Sequence, residues 1–385
     1  MRTSTLKLVV CAVIGLAFVI GVATATADST GTSGSTAVTG PTGTSGPSAA
    51  TGPTGSTAVS GPRTSVVELP PTLIHSGAHP LTLKLNGAAV STGAQPTISP
   101  SVAGTWTAWG DHETFTPSTS FAPCGSYRLT IPAATAAAGR PPLGRSEVQN
   151  FTVACPSVKA LQEALARLGY LPYKLQSFAG VDLNVPLTMG LAAQRAYVLP
   201  HGWLRHAYAN TPPLAAGTMD PTTTGALWVW EENHDIPTGT APDAAIWARL
   251  IREEALGAVN PRPYTWVTVT ENTSPELLKV HENGHVVITT PTNTGIPGRA
   301  TQTGAFPIYV RYTATTMSGT NPDGSHYNDA GVPWVSYFNG GDAVHGFPRA
   351  TYGSPQSLGC VELPIPTAEK VYYKLAVGDM VVVSD

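Results

Sequence analysis

The sequence predicts a multidomain, mostly β protein in which a β-sandwich and a small helical module precede a larger, mostly β C-terminal domain. Three observations carry this. A chain of 385 residues with 42% hydrophobic residues is too long for one ordinary domain and apolar enough for more than one core. Short alternating runs between turn residues dominate both ends of the folded part, and the helical period of 3.6 is concentrated between about residues 155 and 257. Charged residues make up only 12% and the net charge of −3 is spread without long runs, so a basic footprint for nucleic acid is absent and no nucleic-acid partner is expected.

Arg2 and Lys7 precede an apolar stretch from Leu8 to Val22 and the small residues Ala23 to Ala27, which reads as a signal peptide over 1–27 with an Ala25-Thr26-Ala27 cleavage pattern. The expectation is an exported, extracytoplasmic protein in a cell wall or periplasm-like space. It touches a membrane only through this segment, which acts as a tether if it stays uncleaved. Residues 28–63 are almost wholly Gly, Thr, Ser, Pro and Ala, with Thr39-Gly40-Pro41-Thr42-Gly43 repeated as Thr51-Gly52-Pro53-Thr54-Gly55. With little apolar surface to bury, this is expected to be a disordered linker that spans roughly 30 Å as a flexible coil.

Residues 64–154 alternate in short runs, for example Leu81 to Leu85, Tyr127 to Ile131 and Val148 to Val153, as the strands of a small β-sandwich do. Phe121-Ala122-Pro123-Cys124-Gly125-Ser126-Tyr127 resembles the closing strands of bacterial immunoglobulin-like modules. Cys124 and Cys155 bracket this region, and an oxidising exterior favours a disulfide between them. Cys11 lies in the signal. Cys360 is left without a partner, and an odd thiol in an exported protein is a candidate reactive group.

Within 155–257, Val158, Leu161, Leu165 and Leu168 share a helical face, with Ser157 able to cap its start and Gly169 to end it. Asp220-Pro221 opens a second helix through Leu227 and Trp230, and Ala244 to Ile251 forms a third. Leu161-Gln162-Glu163-Ala164-Leu165, Leu168-Gly169-Tyr170 and Ile246-Trp247-Ala248-Arg249-Leu250 resemble the peptidoglycan-binding type 1 module. The match is interrupted by a long segment from Leu171 to Gly217, and Trp230-Glu231 stands where that family favours an aromatic followed by Gln. Trp228, Trp230 and Trp247 are expected to be core residues.

From residue 264 to 385 the strand period returns. Leu277 to Val280 and His285 to Thr289 flank Asn283-Gly284, a strong hairpin signal. Strands are expected at Thr265 to Thr270, Phe306 to Tyr312, Val335 to Phe338 and Val377 to Val383, and a helix at Thr367 to Leu375.

This domain holds Ala343-Val344-His345-Gly346 and, further on, Ser357-Leu358-Gly359-Cys360-Val361-Glu362. A free cysteine is only a few per cent thiolate near pH 7, so a nucleophilic one needs a base, and His345 is the nearest histidine in sequence. Gly359 allows a tight turn before Cys360, and the amides of Gly359 and Cys360 are candidates for an oxyanion hole. One free Cys with scattered His281, His285, His326 and His345 has no recognised zinc spacing, so no metal or other cofactor is expected.

These motifs resemble the YkuD-type L,D-transpeptidases, in which a His-Gly precedes a Ser-x-Gly-Cys. Thr301-Gln302-Thr303-Gly304-Ala305-Phe306 and Phe338-Asn339-Gly340-Gly341 match further family marks in the same order. The resemblance implies a YkuD-like β-sandwich with a short helix. It also implies an acyltransferase with Cys360 as nucleophile, His345 as general acid and base, the Gly346 carbonyl orienting the imidazole, and Ser357 shaping the loop. Tyr327 aligns with a tyrosine of the lid over the family's site. The implied partners are peptidoglycan stem peptides, with carbapenem β-lactams as inhibitors, and the implied product is a 3-3 cross-link. An L,D-carboxypeptidase and a non-catalytic wall-binding protein are the alternatives. One departure stands out: the family usually carries Arg two residues after the cysteine, where this chain has Glu362. Arg349 and Arg311 are the candidates to hold substrate carboxylates in its place.

Overall fold

The computed structural model describes residues 61–90, 94–176 and 203–385. The expected signal and nearly all of the linker lie outside the described residues, as does most of the long interruption after Leu171. Among the described residues, no helix is long and apolar enough to cross a membrane.

The first folded region has eight strands: β1 (Val66–Glu68), β2 (Leu73–Ile74), β3 (Leu81–Leu85), β4 (Thr97–Ser99), β5 (Gly104–Trp109), β6 (His112–Pro117), β7 (Ser126–Ile131) and β8 (Glu147–Val153). They form two four-stranded sheets, ordered β1-β3-β6-β5 and β2-β8-β7-β4. Alternation explains the packing: Leu81, Leu83 and Leu85 of one sheet and Tyr127, Leu129, Ile131, Phe151 and Val153 of the other point into one core around Phe121. A disulfide joins Cys124, which precedes β7, to Cys155, which follows β8.

Next come α1 (Val158–Arg167), α2 (Pro221–Glu232) and α3 (Ala244–Leu256). Each starts where the sequence offers a cap: the Ser157 hydroxyl accepts from the Ala160 amide, Asp220 from Thr223, and Asp243 from Ala245 and Ile246. Gly257 ends α3 in the left-handed conformation, so that helix runs five residues past the expected Ile251. Leu161, Leu165, Leu227, Trp230, Trp247 and Leu250 close one core. Trp228 departs from expectation: it is only half-buried and lines a groove of about 460 Å³ with Met219 and Pro242. The interruption contains an antiparallel ribbon, β9 (Tyr173–Gln176) on β10 (Trp203–His206), that the sequence pattern did not signal.

Glu231 is fully buried at the end of α2, where its Oε2 accepts the Gly239 amide at 2.8 Å and its Oε1 has no hydrogen-bond partner among the described residues. Burial pushes its carboxyl up to about 7. A folded-state pKa above the unfolded one contributes stability that is complete below about pH 4.5 and is lost as pH rises through about 7. Glu231→Gln keeps an oxygen for the Gly239 amide and removes the charge. We expect it to raise stability by about 2 kcal/mol at pH 8 and to have little effect at pH 5, read by chemical denaturation at the two pH values.

The C-terminal domain has two sheets. The first, ordered β13-β12-β11-β19-β14, comprises β11 (Thr265–Thr270), β12 (Leu277–Glu282), β13 (His285–Pro291), β14 (Gly304–Pro307) and β19 (Met380–Ser384). The second, ordered β15-β16-β17-β18, comprises β15 (Val310–Thr320), β16 (His326–Asn339), β17 (Asp342–Gly346) and β18 (Val361–Leu363). Helix α4 (Ile365–Lys374) follows β18. Asn283 and Gly284 both have positive φ and turn β12 into β13, as the sequence signals. Val267, Val269, Val280, Val381 and Val383 from the first sheet meet Phe338, Val344, Val361 and Leu363 from the second, with Ala368 and Val371 of α4.

One expected strand is divided. Phe306 to Tyr312 was expected to be continuous, but β14 pairs with β19 while β15 pairs with β16, and the chain changes sheets at the fully buried Ile308. Pro307 supplies no amide to continue the first ladder.

Helix α2 meets this domain at a pair of glycines. A Cβ on Gly225 would lie 2.3 Å from the Gly378 carbonyl oxygen, and one on Gly378 would lie 2.3 Å from that of Gly225.

Candidate active site

The site is built at the junction of β17 and β18, which run parallel with Val344 opposite Val361 and His345 opposite Glu362. Val344 and Val361 belong to the core, so alternation sends His345 and Glu362 to the other face. Cys360, one residue before Val361, has the same parity and so comes to the face that His345 occupies. There its partly exposed side chain packs with Met317, Tyr337 and Phe347 against Val332, Val335 and Ala343.

His345 is buried at 2% exposure, with Nδ1 3.1 Å from the Gly346 carbonyl oxygen. A carbonyl only accepts, so Nδ1 carries the proton and Nε2 is left as the free base. Burial holds the imidazole below its ordinary pKa, which keeps that lone pair available near neutral pH. Burial also pushes the Cys360 thiol up to about 12, and the carboxylates of Asp342 and Glu362 add to this effect against an opposing contribution from the Ala343 backbone. The thiol points towards the Gly341 carbonyl, 3.8 Å away. Both shifts favour the neutral forms, thiol and imidazole.

The loop before Cys360 is held by Ser357. Its hydroxyl donates to the Cys360 carbonyl at 2.6 Å and accepts the Gly359 amide at 3.2 Å. Ser357 thus holds the loop together, while one expectation changes: the Gly359 amide is engaged within the loop and does not point to an oxyanion. The short Ser357-to-Cys360 turn closes on itself because Gly359 adopts φ 127, a conformation that side chains resist. Of the two amides considered from sequence, that of Cys360 is left for the oxyanion role.

Arg349 was expected to face substrate carboxylates. Instead it makes a bidentate ion pair with Glu362 at 2.7 and 2.8 Å and donates to the Gln356 carbonyl at 3.1 Å. Glu362 is nearly buried, and a desolvated carboxylate takes the nearest guanidinium. Arg311 is likewise occupied: it stacks 4.0 Å from the Tyr372 ring centroid and donates to the Tyr372 carbonyl, against α4. Neither arginine is free to replace the arginine of the family pattern.

Tyr327 lies near the start of β16, packed on Gly319 of β15, and Cys360 adds to the burial that holds its hydroxyl above the ordinary tyrosine range. Three residues that the sequence reading passed over join it. Tyr309 and Tyr337 also feel the Cys360 charge, their rings 6.1 Å apart. Asp342 presses its Oδ1 against Gly359, 2.3 Å from where a Cβ would stand. The Phe338-Asn339-Gly340-Gly341 motif was the available signal for Asp342, which is the next residue.

With this geometry in view, the class of the domain follows from comparison. Residues 265–383 match the family model of YkuD, the L,D-transpeptidase catalytic domain. This part of the chain is a YkuD-type catalytic domain; the residues before it fall outside the match. No curated protein matches the chain. Among solved structures, an L,D-transpeptidase from Mycobacterium smegmatis is 13% identical, covering 84% of this chain and 100% of its own, at a TM-score of 0.29. L,D-transpeptidase 3 from Mycobacterium tuberculosis, in complex with a faropenem-derived adduct, is 12% identical over 83% of this chain and 97% of its own, at 0.29. The catalytic domain of an L,D-transpeptidase from E. faecium is 22% identical over 32% of this chain and 100% of its own, at 0.29. Scores this low carry no functional weight.

Proposed function

We propose that the protein is an exported L,D-transpeptidase that forms 3-3 peptidoglycan cross-links through a thioester on Cys360. The observation that carries the reading is the free thiol of Cys360 at the start of β18, the strand that pairs in parallel with the one bearing a buried His345 whose Nδ1 is committed to the Gly346 carbonyl, within a segment that matches the YkuD family. The apolar N-terminal stretch and the Cys124–Cys155 disulfide support an extracytoplasmic location.

The geometry supports the following steps. His345 Nε2 takes the thiol proton as sulfur attacks the carbonyl of the third residue of a donor tetrapeptide stem. The Cys360 amide, with the Tyr327 hydroxyl, stabilises the oxyanion. The imidazolium then protonates the departing D-alanine amine as the C–N bond breaks. The side-chain amine of an acceptor stem next attacks the thioester. His345 accepts its proton and returns it to the sulfur as the C–S bond breaks. These steps need no metal ion or organic cofactor. The immunoglobulin-like reading of the first β region and wall binding by the helical module belong to the same proposal, as a spacer and an anchor.

The test is to incubate the purified ectodomain with a disaccharide tetrapeptide and analyse the products by mass spectrometry. A cross-linked dimer that has lost one D-alanine is expected. Tripeptide alone would make the site a carboxypeptidase, and unchanged substrate would leave a wall-binding protein.

A further inference from the structure

The carboxylates around Cys360 are not treated alike. Glu362 is neutralised by Arg349. Asp342 has no ion-pair partner among the described residues, although its carboxyl is half-buried and lies against Gly359, next to the nucleophile. It is held by the Asn339 side chain, whose Nδ2 also donates to Gln302 Oε1 at 3.1 Å. This short chain of polar groups fixes Asp342 at the foot of the exposed Gly340-Gly341 turn, whose Gly341 carbonyl faces the thiol. The same carboxylate contributes to holding the Tyr309 hydroxyl above its ordinary range, after burial and Tyr312.

An uncompensated carboxylate in this place has two costs. Removing it from water without a cation is unfavourable, and its charge opposes formation of the thiolate on which attack depends. Both costs are met when a ligand brings a positive charge to the same place. In the reaction proposed above, the group that arrives after the thioester has formed is a side-chain amine, which is an ammonium in bulk solvent near neutral pH. Water carries no such charge.

We propose that Asp342 is the residue that selects a cationic acyl acceptor: its carboxylate binds the ammonium of the acceptor stem's side chain beside the Cys360 thioester and so favours aminolysis over hydrolysis. The inference rests on the transpeptidase reading. The bound ammonium releases one proton to solvent, and the freed amine attacks the thioester carbon; His345 Nε2 takes a second proton from the nitrogen as the C–N bond forms and passes it to the sulfur as the C–S bond breaks, so that the amide keeps the third hydrogen. Asp342 serves as the counter-charge to the ammonium.

The experiment compares wild type with Asp342→Asn and Asp342→Ala in the full ectodomain, with thermal unfolding used to establish that each variant is folded. The thioester formed from the tetrapeptide donor is offered a muropeptide acceptor with a free diamino-acid side chain or hydroxylamine, which is neutral near pH 7.5. Both variants are expected to lower the ratio of aminolysis to hydrolysis about tenfold with the cationic acceptor and far less with hydroxylamine. Both are also expected to take up imipenem faster than wild type, because the charge that opposes the thiolate is gone. An unchanged ratio, or an equal fall with both nucleophiles, overturns the Asp342 assignment alone. Failure of wild type to take up imipenem overturns the transpeptidase reading and this one with it.

Discussion

Incubated with imipenem, the wild-type ectodomain is expected to gain the mass of one drug molecule, and Cys360→Ala is expected to gain none. Cys124 and Cys155 are joined to each other, so Cys360 is the free thiol among the described residues. The family resemblance supplies the expectation that a carbapenem acylates it. Intact-mass analysis reads the result. His345→Gln should retain the thiol but slow its acylation by about 10³-fold, the usual range for loss of a positioned general base. The pH profile separates two ways of making the nucleophile. With the thiol pushed up to about 12 and the imidazole pushed down, acylation should rise to its plateau with a midpoint below the ordinary histidine value of 6.5. It should then stay flat through pH 9, because the competent form is neutral imidazole with neutral thiol. A rise centred near pH 8.5 would mean that a free thiolate reacts without the base.

Arg349→Ala is expected to lower stability by about 3 kcal/mol, measured by urea denaturation. It leaves Glu362, with a side chain only 5% exposed, as an uncompensated charge facing His345 and Cys360. Arg349 is itself 30% exposed, so the cost belongs at the low end of the range for a broken buried pair. The same substitution releases the Gln356 carbonyl, one residue before Ser357, and should slow acylation by letting that loop move. Arg349→Leu with Glu362→Leu should recover much of the stability, since the penalty lies in the lone charge and not in loss of the pair. A double variant as unstable as the sum of its single variants would show that the two side chains contribute independently and that the lone charge is not the source of the penalty.

Much of this was legible in the chain because local chemistry fixes it. Ser157 and Asp220 begin their helices through side-chain acceptors that need only a neighbouring amide, and Asn283-Gly284 turns the hairpin because both residues tolerate positive φ. His345, Gly346, Ser357 and Cys360 were legible as a pattern. The partner of Arg349 was not, because Glu362 is brought to it by the parallel pairing of β17 and β18, which spans a loop that sequence periodicity does not order. The Gly359 amide is taken by the Ser357 hydroxyl two residues away, a loop closure that the motif alone does not specify. Asp342 went unnoticed because an isolated carboxylate after a glycine turn looks like a solvated residue. The β9–β10 ribbon and the change of sheet at Ile308 depend on partners distant in sequence and leave no local period.

The contact of Gly225 with Gly378 bears on how such a chain can change over time. Proteins of this kind are readily imagined as strings of exchangeable cassettes, with a wall-directed module spliced to an enzyme. Here the seam between helix α2 and the strand-bearing domain closes only when both sides lack a side chain, so a methyl group on either backbone collides with the opposite carbonyl. A helical module borrowed from elsewhere would have to arrive with a glycine at one turn of its second helix and find another waiting just before β19. That requirement predicts that chimaeras joined between residues 257 and 264 fail unless the glycine pair is carried across together.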